Sequence, residues 1–141
     1  TSFKLNFNHP VKELIWTGIA TTPVTAINHG AANTAAIDAS NYHLKLNGHD
    51  RFAAREYRYF TRAQVWQHHT GYGSTFINDS IAVYSFALKP EEHQPSGTCN
   101  FSRIDNAELK CSGSAQTLRI YAVNYNVLRI MSGMGGLAYS N

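Results

Sequence analysis

The chain opens on alternation. Phe3, Leu5 and Phe7 are apolar and Lys4 and Asn6 between them are polar, the period of two that predicts a strand with one face buried. Asn8-His9-Pro10 closes it, because proline has no amide hydrogen to give to a ladder. ELIWT, residues 13–17, predicts a second strand that ends at Gly18. Residues 19–41 are rich in Ala, Thr, Asn and Gly with little periodicity, and predict a long surface loop. Tyr42, Leu44 and Leu46 alternate with His43 and Lys45, and Asn47-Gly48 then turns the chain. Within residues 51–69, the stretch from Glu56 to Arg62 suits a helical turn or two. Arg55, Arg58 and Arg62 fall on one face of it, Tyr57 and Phe60 on another. Residues 70–80 form a glycine-rich loop. IAVYSFAL, residues 81–88, is apolar at nearly every position, as in a strand buried on both faces. Residues 107–112 and 117–125 predict two further strands joined by a Ser/Gly turn, and residues 127–131 one more before a glycine-rich end.

About seven short strands with uneven loops, and at most one short helix near residues 53–62, predict an all-β fold, an antiparallel sandwich or jelly roll. The chain of 141 residues is one domain's worth, expected as a single domain over residues 1–141. Hydrophobic residues at 43% against 15% charged ones exclude a disordered chain. Eight Tyr, seven Phe and two Trp favour strands and large contact surfaces. A net charge of +3 without a long basic run permits nucleic-acid contact and does not argue for it. Cys99 and Cys111 form neither a zinc spacing nor a disulfide framework, and free thiols are expected over a bridge between them. The first ten residues do not carry the charged and apolar pattern of a secretory signal. No apolar run approaches the roughly 20 residues of a membrane span. The chain starts without Met inside a strand-like alternation, so it is expected to be a processed product or only part of a longer polypeptide.

Candidate chemistry is thin. Glu91-Glu92 are neighbours in extended chain and point apart, so they read as solvated loop charges rather than a convergent carboxylate pair. None of the seven histidines forms an HxH pair, and His68-His69 face opposite ways in a strand, so no metal or other cofactor is expected. SGMGG, residues 132–136, has neither the strand-to-helix setting of a nucleophile elbow nor the GK[ST] of a phosphate loop. No enzyme is indicated. Arg55, Arg58 and Arg62 with Tyr57 and Phe60 make the best candidate interface, since Arg and Tyr favour protein–protein contacts and Asp50 and Glu56 can pair locally. Asn78 and Asn100 begin N-x-S sequons and are the candidate glycosylation sites.

Residues 86–109, FALKPEEHQPSGTCNFSRIDNAEL, are an elaborate connector between two strands. Pro90, Pro95 and Gly97 restrict its path. Arg103 and Asp105 are expected to bond to main chain or to each other, making a structural joint rather than a reactive site.

LNFNHPVKELIW (5–16), LNGHDRF (46–52), REYRYF (55–60), the connector, and IYAVNYNVLRIMSGMGGLAYSN (120–141) together resemble the C-terminal part of the major capsid protein of the large nucleocytoplasmic DNA viruses, a group that includes chloroviruses, iridoviruses and mimivirus-like viruses. The likeness covers most of the chain and is weakest at residues 17–41 and 63–80. It implies most of the second jelly roll of a double jelly-roll protein. Such a protein would trimerise into pseudo-hexagonal capsomers that tile an icosahedral shell. Its partners would be itself, neighbouring capsomers and minor capsid proteins. No direct nucleic-acid contact is implied, nor a membrane span. Its place would be the virion shell, assembled in the host cytoplasm. The competing expectation is a carbohydrate-binding sandwich that stacks sugars on exposed Trp16, Trp66 and Tyr residues.

Overall fold

The computed structural model describes residues 1–18, 37, 41–71, 81–112 and 117–139. The loops expected at residues 19–41 and 70–80 fall almost wholly outside the described residues, as does Asn78. Two antiparallel sheets face each other across one core. The first carries β1 (Ser2–Lys4), β8 (Ala107–Ser112), β3 (Asn41–Leu46), β4 (His49–Asp50) and β5 (Arg55–Glu56), in the order β1-β8-β3, with β4 and β5 both on the far side of β3. The second is centred on β2 (Pro10–Gly18), with β9 (Leu118–Asn124) along one side and β6 (Ile81–Ser85) and β7 (Cys99–Asn100) along the other. The remaining pair, β10 (Leu128–Met131) and β11 (Met134–Leu137), makes a separate hairpin.

Alternation places the core. Tyr42 and Leu44 of β3, and Ala107, Leu109 and Cys111 of β8, point inward, while the residues between them are only half-buried. From the opposite sheet come Val11, Leu14 and Trp16 of β2. Val11 and Leu14 are three apart, and a strict period of two would put them on opposite faces. The register against β9 slips between Val11 and Glu13, so the chain gains one residue and resumes in phase. Trp16, Tyr42 and Phe60 meet at the centre, with ring centroids 5.2–6.0 Å apart, in tilted and edge-to-face arrangements that suit aromatic quadrupoles.

Two turns have the same chemistry. Asn47 and Gly48 both have positive φ (51° and 81°), and Leu46 faces His49, a two-residue hairpin loop. Ser132 and Gly133 repeat it (φ 54° and 77°) between Met131 and Met134. The glycine-rich end is therefore a strand, β11, where the sequence pattern predicts none.

The short helix begins within the expected window near residues 53–62 and runs on beyond it. Arg55 and Glu56 pair with Tyr42 and Asn41 as β5, so their backbone is committed to the sheet. Helical backbone starts at Tyr57 and continues as a π-helical turn over Tyr59–Ala63 into α1 (Gln64–His68). Phe60 anchors this segment in the core.

Candidate assembly surface and connector

β6 and β7 pair with the same side of β2, in the same direction: Glu13 faces Ser85, and Val11 faces Cys99. They are one strand lane, interrupted by residues 86–98. The connector is thus a large excursion from a single lane, which rejoins it two residues further along β2. Lys12 marks the gap. Its carbonyl accepts from the amides of Phe86 (2.9 Å) and Ala87 (3.3 Å) where the excursion leaves. On the other side of β2 it is the extra residue of the bulge against β9.

Within the connector, Pro90 is fully buried and Pro95 is exposed. Gly97 has φ 148°, and a Cβ there would stand 2.5 Å from the Phe86 carbonyl oxygen, so the two ends of the excursion pass closer than any side chain permits. Arg103 and Asp105 are both exposed, and among the described residues no ion pair joins them. The joint is made elsewhere. Asn47 Oδ1 accepts from the amides of Asp105 and Asn106, both at 3.0 Å, and the Asn47 amide donates to the Asn106 carbonyl at 2.7 Å. The Asn-Gly dipeptide announces the turn; nothing local announces this second duty across 58 residues.

The helical segment closes the side of the sandwich beside β6. The Ser85 amide donates to Gln64 Oε1, whose amide group donates to the Tyr59 hydroxyl. The β6 edge is thereby covered at this point and its Ser85 amide satisfied. At the end of α1, His69 stands between two carboxylates: Nε2 is 2.8 Å from Glu13 Oε2 and Nδ1 is 3.0 Å from Glu91 Oε1. Glu91 also accepts from the Thr70 amide and hydroxyl, each at 2.9 Å. These bonds, the Thr70 amide first, hold the Glu91 carboxyl below the ordinary carboxylate range. Glu91 is therefore a fastening of the connector rather than a free loop charge. Burial pushes the Cys99 thiol and the Tyr84 phenol upward, opposed in each by the Arg51 guanidinium. Among the described residues no disulfide joins Cys99 and Cys111.

The candidate interface around Arg55, Arg58 and Arg62 divides. The three arginines are exposed. The Arg55 guanidinium lies 4.5 Å from the Tyr59 ring centroid, and Arg58 reaches Glu56 at 3.6 Å and the Tyr57 hydroxyl at 3.2 Å. Tyr57 and Phe60 are buried core residues and have no surface to give a partner. The reason is packing: the segment turns these two rings into the gap between the sheets. Trp16, one of the candidate sugar platforms, is likewise 0% exposed, whereas Trp66 is 71% exposed. Asn100 is exposed, but its sequon is wound into a turn. Its Oδ1 accepts from the Ser102 amide, and Ser102 Oγ accepts from the His9 amide.

Among the described residues, exposed large apolar side chains gather on the β10–β11 hairpin. Every residue of both strands is exposed. Leu128 opposite Leu137, with Ile130, forms one aliphatic face (65%, 62% and 68% exposed), and Met131 opposite Met134 lies on the other. The root is fixed to the sandwich by the Tyr125 amide on the Pro10 carbonyl (2.9 Å), and the hairpin itself is closed by the Ala138 amide on the Val127 carbonyl (2.8 Å). A cleft of about 650 Å³ opens there, lined among others by His9, Asn100, Tyr125 and Tyr139. Two strands alone are marginal in water, so a ribbon with both faces bare calls for a covering surface.

These features describe a β-sandwich that presents apolar surface and fixed joints, with no convergent acid, base and nucleophile among the described residues. The chain belongs to the family of large eukaryotic DNA virus major capsid proteins, whose model matches residues 1–136. It is 49% identical to the major capsid protein of Pyramimonas orientalis virus over 162 aligned residues, covering 100% of this chain and 39% of that protein. Against the major capsid protein of Paramecium bursaria Chlorella virus 1 the identity is 40%, over 99% of this chain and 43% of the other. Among solved structures, a chain of the quasi-atomic model of the PBCV-1 virus capsid superposes with a TM-score of 0.71 at 37% identity, over 100% of this chain and 46% of its own length. The fold is thus the antiparallel jelly-roll sandwich of viral capsid proteins. The chain spans less than half the length of these relatives, which are structural proteins rather than enzymes.

Proposed function

We propose that this chain is a jelly-roll module of a major capsid protein, forming the C-terminal portion of a longer double jelly-roll polypeptide. Trimers of that polypeptide make pseudo-hexagonal capsomers, and capsomers tile the icosahedral shell of a virion assembled in the host cytoplasm. Its partners are further copies of itself, adjoining capsomers and minor capsid proteins; it neither binds nucleic acid directly nor spans a membrane. The observation that carries this reading is the bare β10–β11 ribbon on a sandwich whose family consists of shell proteins. Permanent interfaces bury roughly 2,000–5,000 Å² and are richer in apolar groups than transient ones, and the ribbon offers such groups on both faces. Exposed Arg55, Arg58 and Arg62 suit the polar rim of a contact rather than its centre. Pro90, Pro95 and Gly97 shape the connector so that the sandwich is rigid enough to tile.

The test is the native mass of the full-length polypeptide carrying this sequence, by light scattering, beside an Ile130→Asp variant. The expected result is a trimer or a larger particle for the parent, and a folded but smaller species for the variant. A monomeric parent, or a variant that assembles as the parent does, overturns the reading.

A further inference from the structure

His69 has both ring nitrogens at hydrogen-bond distance from carboxylate oxygens, Nε2 from Glu13 at 2.8 Å and Nδ1 from Glu91 at 3.0 Å. An ionised carboxylate only accepts, and a neutral imidazole has one donor. Two such contacts therefore require one extra proton in the trio, whether it is drawn on the ring or on a carboxyl. From this geometry we infer that Glu13, His69 and Glu91 form a proton-dependent latch that fastens the connector, residues 86–98, to β2 and to the end of α1.

Each element contributes one charged group to the trio. Glu13 comes from the central strand of its sheet, His69 from the residue that follows α1, and Glu91 from the connector. Beside the ring, His68 spends Nδ1 on the Leu88 carbonyl at 3.1 Å, a second tie to the same excursion. The nearby Lys89 and Glu92 pair with each other at 3.7 Å.

The latch opens on a definite side. When the extra proton leaves for water, one nitrogen lone pair is left facing a carboxylate oxygen. Glu13 is buried and has the more to lose from an unmet charge, whereas the exposed Glu91 can turn to water. The remaining proton therefore stays on Nε2 toward Glu13, and the Nδ1 contact with Glu91 is lost. The folded state binds a proton that opening releases, so by linkage the latch weakens as pH rises. Imidazoles ordinarily change charge between about pH 5 and pH 8. The Thr70 amide donates to the same Glu91 oxygen that faces Nδ1, so that bond is released as Glu91 turns to water, and the connector loosens at this point while the sandwich stays folded.

Hydrogen exchange followed by mass spectrometry on the full-length protein tests this, with protection factors corrected for intrinsic rates. Peptides that report the Thr70 amide and residues 86–98 are expected to lose protection about tenfold from pH 5 to pH 8, the scale of one charge-assisted bond. Peptides from β2 and β3 hold steady. In His69→Gln the step disappears, because glutamine does not titrate. Should that variant fail to fold, Glu91→Gln serves in its place, since Glu91 is exposed, and its step is expected to shrink. Flat protection in the parent, or a full step in whichever variant folds, overturns the latch.

Discussion

Thr61 and Trp16 bring polar atoms into the core that meet no partner among the described residues: the Thr61 hydroxyl and the Trp16 indole N–H are buried and without a hydrogen bond there. A polar group in that position costs roughly 1–3 kcal/mol in desolvation. Thr61→Val keeps the branched shape and removes the oxygen, so it is expected to raise stability by about 1 kcal/mol, read as a higher denaturation midpoint with an unchanged slope. Gly97 runs the other way. At φ 148° with the Phe86 carbonyl oxygen 2.5 Å from a would-be Cβ, the obstacle is backbone and cannot swing aside. Gly97→Ala is expected to cost at least about 1–3 kcal/mol, and an unchanged midpoint would show that the connector can take another path. Glu91 sets an acid limit. Its carboxyl is held below the ordinary 4.5 by the Thr70 amide and hydroxyl and by His69. The stability it lends is therefore complete above that value and fades as pH falls through the lower folded value. Glu91→Gln should flatten the acid end of a melting-temperature profile, while a profile identical to the parent's would mean that the Thr70 bonds add nothing.

Elements were legible in the sequence where one face is buried and the other is not. Tyr42 and Leu44 alternate with half-buried neighbours in β3, so burial writes the period of two directly into the residues. The run from Ala82 to Ser85 is buried throughout, and its unbroken apolar pattern says so. The elements that escaped lack such a contrast. β4, β5 and β7 are two residues each, too short to show any period. β11 is Met-Gly-Gly-Leu with every position exposed in this chain, so nothing distinguishes its inner from its outer face. Trp16 and Trp66 look alike in sequence, and only the sheets decide that one is core and the other surface. The trio at His69 joins residues 22 and 56 positions apart, and the Asn47 joint spans 58 and 59. Such contacts exist only once the topology has formed, so no local pattern encodes them. Asn47 illustrates the consequence. It supplies a positive-φ turn residue and also accepts two amides from the segment that leads into β8. Asn47→Gly keeps the turn and removes the acceptor, and is expected to cost about 1–3 kcal/mol for two stranded amides. Asn47→Asp keeps both and should stay close to the parent in thermal melts.

At the scale of the whole molecule, the sandwich is closed on some sides and open on others. The helical segment covers the β6 edge through Gln64 and Ser85. Among the described residues, β9 pairs only with β2, and its outer side meets no further strand. Tyr121 on that strand is more than half exposed. The bare hairpin follows directly after β9. Unpaired strand edges and exposed aliphatic faces attract other chains unless they are covered. Here the open edge and the bare ribbon are consecutive in the chain. One covering partner could therefore serve both, which is what a shell subunit needs and a freely diffusing monomer avoids. Local stability should follow this division, since amides exchange according to how much packing must be undone to expose them. In dissociated subunits, β2, β3 and β8 should exchange slowest, because they pair on both sides and carry the core. The outer amides of β9 and all of residues 125–139 should exchange fast and be the first segment cut by a protease. On assembly that same segment should become protected by at least about a hundredfold, as expected when a marginal two-stranded ribbon is buried in a permanent interface. The core strands should change little. If residues 125–139 stayed equally labile in assembled particles, the covering surface would have to be sought at exposed Arg55, Arg58, Arg62 and Trp66 instead.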